Sequence, residues 1–327
     1  MLRIHFTGSD LESVRIARHP APLWEIVCSL CRLQTREGAV AFGPWRRMVG
    51  GLVRRDGTAR AAASALCSLV PRAAYFPDFL TPPVEDGPDD LQAGIDRVLA
   101  TPRQRLRHEL TLLTAGSGRP WAGAELARGD VTALTALGGN LRTYHQKFIA
   151  PLWNRISTAT AADLALRTRA LVDGGTRTLL NSLRPMAVWE PPVLTVDYPV
   201  EHDLHLQGRG LLLVPSYFCW QRPITLADGQ LRPVLIYPVD KTPSTPAAST
   251  ASLARLLGPT RAALLYEAAA LTGPTTSELA DATGMSLPTV SQQLAVLRDG
   301  GLVASRRDGK RALHTVTLLG RRLLDGS

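Results

Sequence analysis

The chain has 327 residues, a hydrophobic fraction of 45% and a formal net charge of +9, enough length for two domains with separate cores. Its longest apolar run, Leu211 to Trp220, contains Pro215 and Ser216 and reaches about half a membrane span, and its four cysteines at irregular spacing make no disulfide framework. A balance this basic points to an anionic partner, without by itself separating nucleic acid from a membrane surface.

Met1 to Phe6 lacks the apolar core of a secretory signal, so a cytoplasmic location and no membrane partner are expected. Leu2, Ile4 and Phe6 alternate, which predicts an opening strand ending at Thr7-Gly8-Ser9. A helix from about Asp10 to His19 is expected next. Pro22 to Gln34 predicts a helix with Leu23, Val27, Leu30 and Cys31 on its buried side. Pro44–Val53 and Thr58–Val70 are further helix candidates. A Pro/Asp-rich loop from Thr81 to Asp90 interrupts them. Helical patterns resume at Leu91–Leu99, Pro102–Thr114, Gly123–Ala127, Val131–Ile156 (broken near Pro151) and Ala161–Val172.

From Val193 the texture changes. Val193–Val196, Gly210–Val214 and Val234–Tyr237 read as strands punctuated by Pro and Gly. The expected fold class is therefore mainly α with a smaller β portion (α+β). Residues 1–240 form a first domain, helical over 1–185 and β-rich over 186–240. A polar, Pro-containing linker spans 241–251, and a second domain occupies 252–327. In that domain Leu264, Ala268 and Leu271 give the first helix an apolar stripe.

Chemistry-bearing fragments in the first domain are weak. Cys28-Ser29-Leu30-Cys31 has metal-like spacing but lies on an amphipathic helix without a second ligand pair, so buried thiols are expected. Glu201-His202-Asp203-Leu204-His205 gathers four potential ligands; in an extended chain its two histidines would face opposite ways, and a solvated loop is expected. His108-Glu109 lacks the second histidine of a zinc helix, and Ser216 lacks the glycines of a nucleophile elbow. No catalytic residue, metal site or cofactor is assigned, and no enzyme is expected. All six tryptophans precede the linker, where some could line a pocket for an apolar effector.

The informative stretch is Gly273 to Val303. Thr275 followed by Glu278 makes a capping box, Gly284 has the character of a helix stop, and Ser286 caps a second helix with Pro288 in its first turn. Val290, Leu294 and Leu297 share one stripe of that helix, about 286–298. The other faces carry small and amide side chains suited to the DNA major groove. Candidate DNA-binding residues there are Ser286, Thr289, Ser291, Gln292, Gln293 and Arg298. A hairpin from about 302 to 318, turning at Asp308-Gly309, brings Arg306, Arg307, Lys310 and Arg311 to its tip. Between Arg298 and Arg322 seven Lys/Arg face two Asp/Glu, a local balance of +5. A basic hairpin beside such a helix is a wing placed to contact phosphates.

Leu256–Arg261 and Met285–Val303 resemble the signature of the ArsR family of winged helix-turn-helix regulators, over about the last quarter of the chain. The long front domain resembles that of actinobacterial ArsR-like regulators, in which its role is uncharacterised. The resemblance implies a homodimeric repressor of double-stranded DNA that binds imperfect inverted repeats. Thr276–Asp281, where many relatives carry metal-sensing cysteines, has neither Cys nor His, and the segment after Leu318 is short for a dimerising final helix. The front domain is expected to receive a small-molecule effector or to supply the dimer contact. The rival reading is an enzyme or ligand-binding domain regulated or localised by the fused winged helix.

Overall fold

The computed structural model divides into two compact units, Met1–Lys241 and Thr242–Ser327. It describes residues 1–71, 75–83, 90–117, 123–240, 253–254, 256–270, 273–308 and 311–325. The expected linker, Leu271 and Trp121 lie outside the described residues.

The first unit opens with strand β1 (Leu2–His5), helix α1 (Gly8–Glu12) and a two-residue strand β2 (Arg15–Ile16). The helix expected over 10–19 is thus replaced by a single helical turn and a strand. The reason is Asp10: it closes a capping box with Thr7 and accepts the Gly210 amide at 3.0 Å. The chain then runs beside a later strand, with Arg15 and Ala17 donating to the carbonyls of Leu211 and Leu213. Burial alone would raise the Asp10 carboxyl, but these hydrogen bonds hold it below its ordinary value.

The helices α2 (Pro22–Leu33), α3 (Ala39–Arg55), α4 (Gly57–Leu69), α5 (Leu91–Leu99), α6 (Arg103–Ser117), α7 (Ala124–Ala127) and α8 (Val131–Tyr144) follow. Proline opens α2 at its first position, where no amide is needed, and Leu23, Val27 and Leu30 are buried on it. Helix α3 begins at Ala39 rather than at Pro44, which lies inside it. Asp56 caps α4 by accepting the amides of Thr58 and Ala59. Around Pro151, which has no amide to donate, the helix passes through a π turn (His145–Ile149) and a 3-10 turn (Ala150–Leu152) before α9 (Trp153–Asn181). Gly174 and Gly175 leave helical geometry inside α9 and split it in two.

The strands β3 (Ala187–Glu190), β4 (Val193–Val196), β5 (His202–His205), β6 (Leu212–Ser216) and β7 (Val234–Pro238) build two sheets rather than one. One sheet has the order β3-β4-β1-β5; the other, β2-β6-β7, is parallel throughout. The first residues of the chain therefore complete both sheets, which corrects the division into a helical 1–185 and a β-rich 186–240. The segment expected as a loop at 201–205 is the edge strand β5, parallel to β1.

The parallel sheet is covered on both faces, as such sheets require. Leu212, Val214, Val234 and Ile236 face the helical core. Leu213, Leu235 and Tyr237 join a second core with the four-stranded sheet. Buried polar groups tie the layers together. Glu25 of α2 accepts the amides of Tyr217 (2.7 Å) and Phe218 (2.9 Å) and lies 3.1 Å from the Ser216 hydroxyl. Asp163 of α9 accepts the Tyr237 hydroxyl and pairs with Arg167 at 3.1 Å.

The second unit contains α10 (Pro259–Ala270), α11 (Thr276–Thr283), α12 (Leu287–Asp299), β8 (Val303–Asp308), β9 (Arg311–Val316) and α13 (Leu318–Asp325). Leu264 and Ala268 of α10, Leu279 of α11 and the stripe Val290, Leu294 and Leu297 of α12 form its core with Leu302 and Val303.

Candidate nucleic-acid interface

Helix α11 starts as its residues dictate. The Thr275 amide donates to the Glu278 carboxylate at 2.7 Å, and the Glu278 amide reaches the Thr275 hydroxyl at 3.3 Å. Gly284 ends it with φ of 67°, a left-handed conformation that glycine adopts without strain. Two residues later Ser286 caps α12, accepting the Thr289 amide at 3.4 Å and sharing a 2.8 Å hydrogen bond with the Thr289 hydroxyl. Because Val290, Leu294 and Leu297 are buried, the direction in which the rest of α12 points is set.

Ser286, Thr289, Ser291 and Gln292 are exposed, and Gln293 is half-buried. The structure thus brings these five together on the open side of one helix. Ser286 and Thr289 serve the cap as well, whereas the side chains of Ser291 and Gln292 make no hydrogen bond among the described residues. Leu287 and Val296 are also exposed on this helix, at 51% and 44%, an apolar contribution suited to thymine methyl groups. Arg298 stands exposed in the last turn, 4.0 Å from Asp299.

The two wing strands pair antiparallel, with Val303 opposite Val316 and Asp308 opposite Arg311. Gly309 of the expected Asp308-Gly309 turn lies outside the described residues. Register here follows the buried face, where Val303 packs into the core with Val316 beside it and Ser305 is hydrogen-bonded to His314. Arg306 and Arg307 are exposed near the tip. Lys310 lies outside the described residues, as does the Arg311 side chain, although Arg311 begins β9.

The wing is anchored as well as basic. Thr275 bridges to Leu313, and the His314 amide donates to the Pro274 carbonyl at 2.9 Å, so the segment before α11 is tied to the two-stranded hairpin by a single β-bridge. A glycine at 320 lets α13 close against the wing base, because a Cβ there would overlap the Leu302 carbonyl oxygen.

Residues 256–306 match a helix-turn-helix domain family. The C-terminal segment is an ArsR-type helix-turn-helix domain. The helix-turn-helix proper is α11 and α12, and the wing follows it directly. Residues 131–243 match a second family, of unknown function (DUF5937), which begins at α8 and takes in β3 to β7. No curated protein and no solved structure matches the chain.

One polar residue of the helix-turn-helix domain escaped the sequence reading. His314 is buried at 5% exposure. Its Nε2 is 3.0 Å from the Thr276 hydroxyl and its Nδ1 is 2.9 Å from the Ser305 hydroxyl. Burial, with Arg298 nearby, holds its imidazole below the usual histidine range. A lone histidine in a basic hairpin carries no signal in sequence; only the pairing of β8 with β9 reveals its partners.

In the first unit, Cys28 is buried on α2 and Cys31 is half-buried, both as free thiols. Asp203 of the 201–205 segment pairs with Arg3 at 2.9 Å and with His5 at 2.7 Å, while His5 and His205 stack at 4.4 Å. Among the described residues no three His, Cys, Asp or Glu side chains converge as a metal-ligand set. Glu109 is buried against Arg105 and accepts the Phe79 amide at 2.7 Å, and Ser216 bonds Glu25. Of the tryptophans, Trp24, Trp45 and Trp189 are core, and Trp153 and Trp220 are half-buried. No helix among the described residues is long and apolar enough to cross a membrane.

Proposed function

We propose that the chain is a sequence-specific transcriptional regulator that acts as a cytoplasmic homodimer and represses its target genes. The observation that carries this reading is the exposed face of α12, where the Ser291 and Gln292 side chains have no hydrogen-bond partner among the described residues, beside the exposed Arg306 and Arg307 of the wing. Gln292 and Gln293 would read base edges with Ser291 and Thr289. The cap hydroxyls, Arg298 and the wing residues Arg306, Arg307, Lys310 and Arg311 would hold phosphates. Dimerisation is supported by Leu318 and Leu319 of α13, 70% and 57% exposed, and by Leu256, 70% exposed, which two copies of the domain could bury together.

The first unit would act as receiver rather than catalyst. Its buried carboxylates Glu25, Asp10 and Asp163 are occupied in joining secondary structure, and no enzymatic activity is assigned to it. A ligand there would act by favouring one spacing of the two recognition helices over another.

Selection of random duplex DNA by the full-length protein at near-physiological salt tests the reading. The expected product is an inverted repeat with half-sites about one helical turn apart. Recovery of unrelated sequences, bound with a steep salt dependence only, would remove the claim of sequence-specific regulation.

A further inference from the structure

The first unit contains a cavity of about 410 Å³ between α2, the Tyr75–Asp78 segment and the chain from Tyr198 to Ala227. That volume lies within the range of small-molecule sites, about 300–1,000 Å³. Five aromatic rings line it: Tyr75, Phe76, Tyr198, Phe218 and Trp220. Several are held by a further row of rings. Phe42 stacks on Phe218 at 5.6 Å and meets Trp220 edge-on at 5.4 Å, and Trp24 meets Phe76 at 6.0 Å. The walls are therefore preorganised aromatic faces, which attract cations through their quadrupoles.

The charged groups of the wall decide the sign of the ligand. Arg32 is 2.7 Å from Glu37, and Arg222 is 2.9 Å from Asp197. Each cation of the lining thus has its own carboxylate. Asp78, 3% exposed, has no ion-pairing cation among the described residues. Its two oxygens accept the amides of Ala227 at 3.2 Å and Asp228 at 2.8 Å, and each keeps a further lone pair. The nearby Arg105 is paired with Glu109 and offsets the Asp78 charge only in part. The wall holds one buried carboxylate that forms no ion pair among the described residues.

Cys28, Cys31 and Cys219 complete one side of the cavity. A hydrogen bond with Cys219 and burial hold the Cys28 thiol well above its ordinary value, and burial pushes Cys31 up to about 11. Near neutral pH Cys28 and Cys31 are protonated and act as a soft apolar wall, not as thiolate ligands.

We propose that this cavity binds a small aromatic amine in its protonated form, with the ammonium group at Asp78 and the ring system among the five aromatic side chains. The proposal rests on the reading of the first unit as an effector receiver and adds the site and the ligand's chemical class.

Calorimetry of the full-length protein at pH 7.5, without DNA, tests it with three indoles of matched size: tryptamine, tryptophol and indole-3-acetate. Tryptamine is expected to bind at least about tenfold more tightly than tryptophol, with indole-3-acetate weakest. Asp78→Asn should abolish the gap between amine and alcohol. Because Asp78 also anchors the 227–228 backbone, Phe76→Leu gives an independent measure. It keeps apolar volume but removes a cation-binding face, so tryptamine should weaken more than tryptophol. Equal binding of amine and alcohol, preference for the acid, or no binding by tryptamine up to millimolar concentration each overturns the proposal. None of these results bears on DNA selection. Loss of the operator with retained amine binding would instead overturn the regulator reading alone.

Discussion

His314 lies with its Nε2 3.0 Å from the Thr276 hydroxyl oxygen, which joins the start of α11 to the middle of a wing strand. Through Nδ1 the same ring reaches Ser305 on the other strand. Both ring nitrogens are thus paired in a buried setting, where protonation would place a second positive charge near Arg298.

The first prediction concerns pH. The folded-state pKa of His314 lies below its ordinary 6.5, so the unfolded chain binds the proton more readily. The contribution of His314 to stability is therefore complete above about pH 6.5 and is lost as pH falls through the folded-state value. Full-length wild type and His314→Gln should differ by about 1–2 kcal/mol in urea unfolding at pH 7.5, and the gap should shrink toward pH 5. A gap that is constant with pH would mean that the ring does not titrate in this environment.

A second prediction separates base reading from phosphate contact. Gln292→Ala should cost about 1–3 kcal/mol on the selected operator and little on random DNA. Arg306→Ala with Arg307→Ala should weaken both and reduce the slope of log affinity against log salt by about two. Fluorescence anisotropy between 50 and 200 mM salt gives both quantities. Parallel losses on operator and random DNA in the glutamine variant would argue that α12 does not read bases.

The core stripe of α12 gives a third. Leu294 is 3% exposed amid Leu264, Leu279 and Leu297. Leu294→Ala should destabilise the second unit by about 2–5 kcal/mol through lost burial and the cavity left behind. Calorimetric unfolding of the full chain should show the transition of the second unit moving down while that of the first stays in place. Movement of both would show that the units unfold together.

Asp78 supplies the fourth, with the opposite sign to His314. Burial, despite the two amides it accepts, raises its carboxyl from 3.8 to about 6. The folded state therefore holds this proton more tightly, and the group opposes folding increasingly as pH rises from about 4 to 6, by on the order of 3 kcal/mol across that window. Glu109 nearby works in the same direction and Arg105 against it. Relative to wild type, Asp78→Asn should gain stability in the first unit on going from pH 4 to pH 7. A wild-type-to-variant difference that is flat with pH would place the carboxyl in an ordinary solvated state.

What could be read from sequence was local. The Thr275–Glu278 capping box, the Gly284 stop, the Ser286 cap and the Val290, Leu294 and Leu297 stripe are decided by residues within one or two turns of each other, and each forms as its neighbours dictate. What escaped was assembled over distance. Strand β2 has two residues and exists because Leu211 and Leu213 offer it carbonyls. Strand β5 reads as a polar loop because its partner is the first strand of the chain. The cavity draws its walls from segments that only the fold brings together, so neither Asp78 nor Tyr198 could be singled out beforehand.

The pairing of Leu2 with Val196 and His202 also sets a timetable for synthesis. At about 5–20 residues per second, the first strand leaves the ribosome roughly ten seconds or more before the strands that flank it. During that interval Leu2, Ile4 and Phe6 have no sheet to join, and neither sheet of the first unit can be completed. Until then the apolar side chains of that strand have no native sheet partner to cover them. The helix-turn-helix domain, whose core elements lie close together in the chain, needs no such delay.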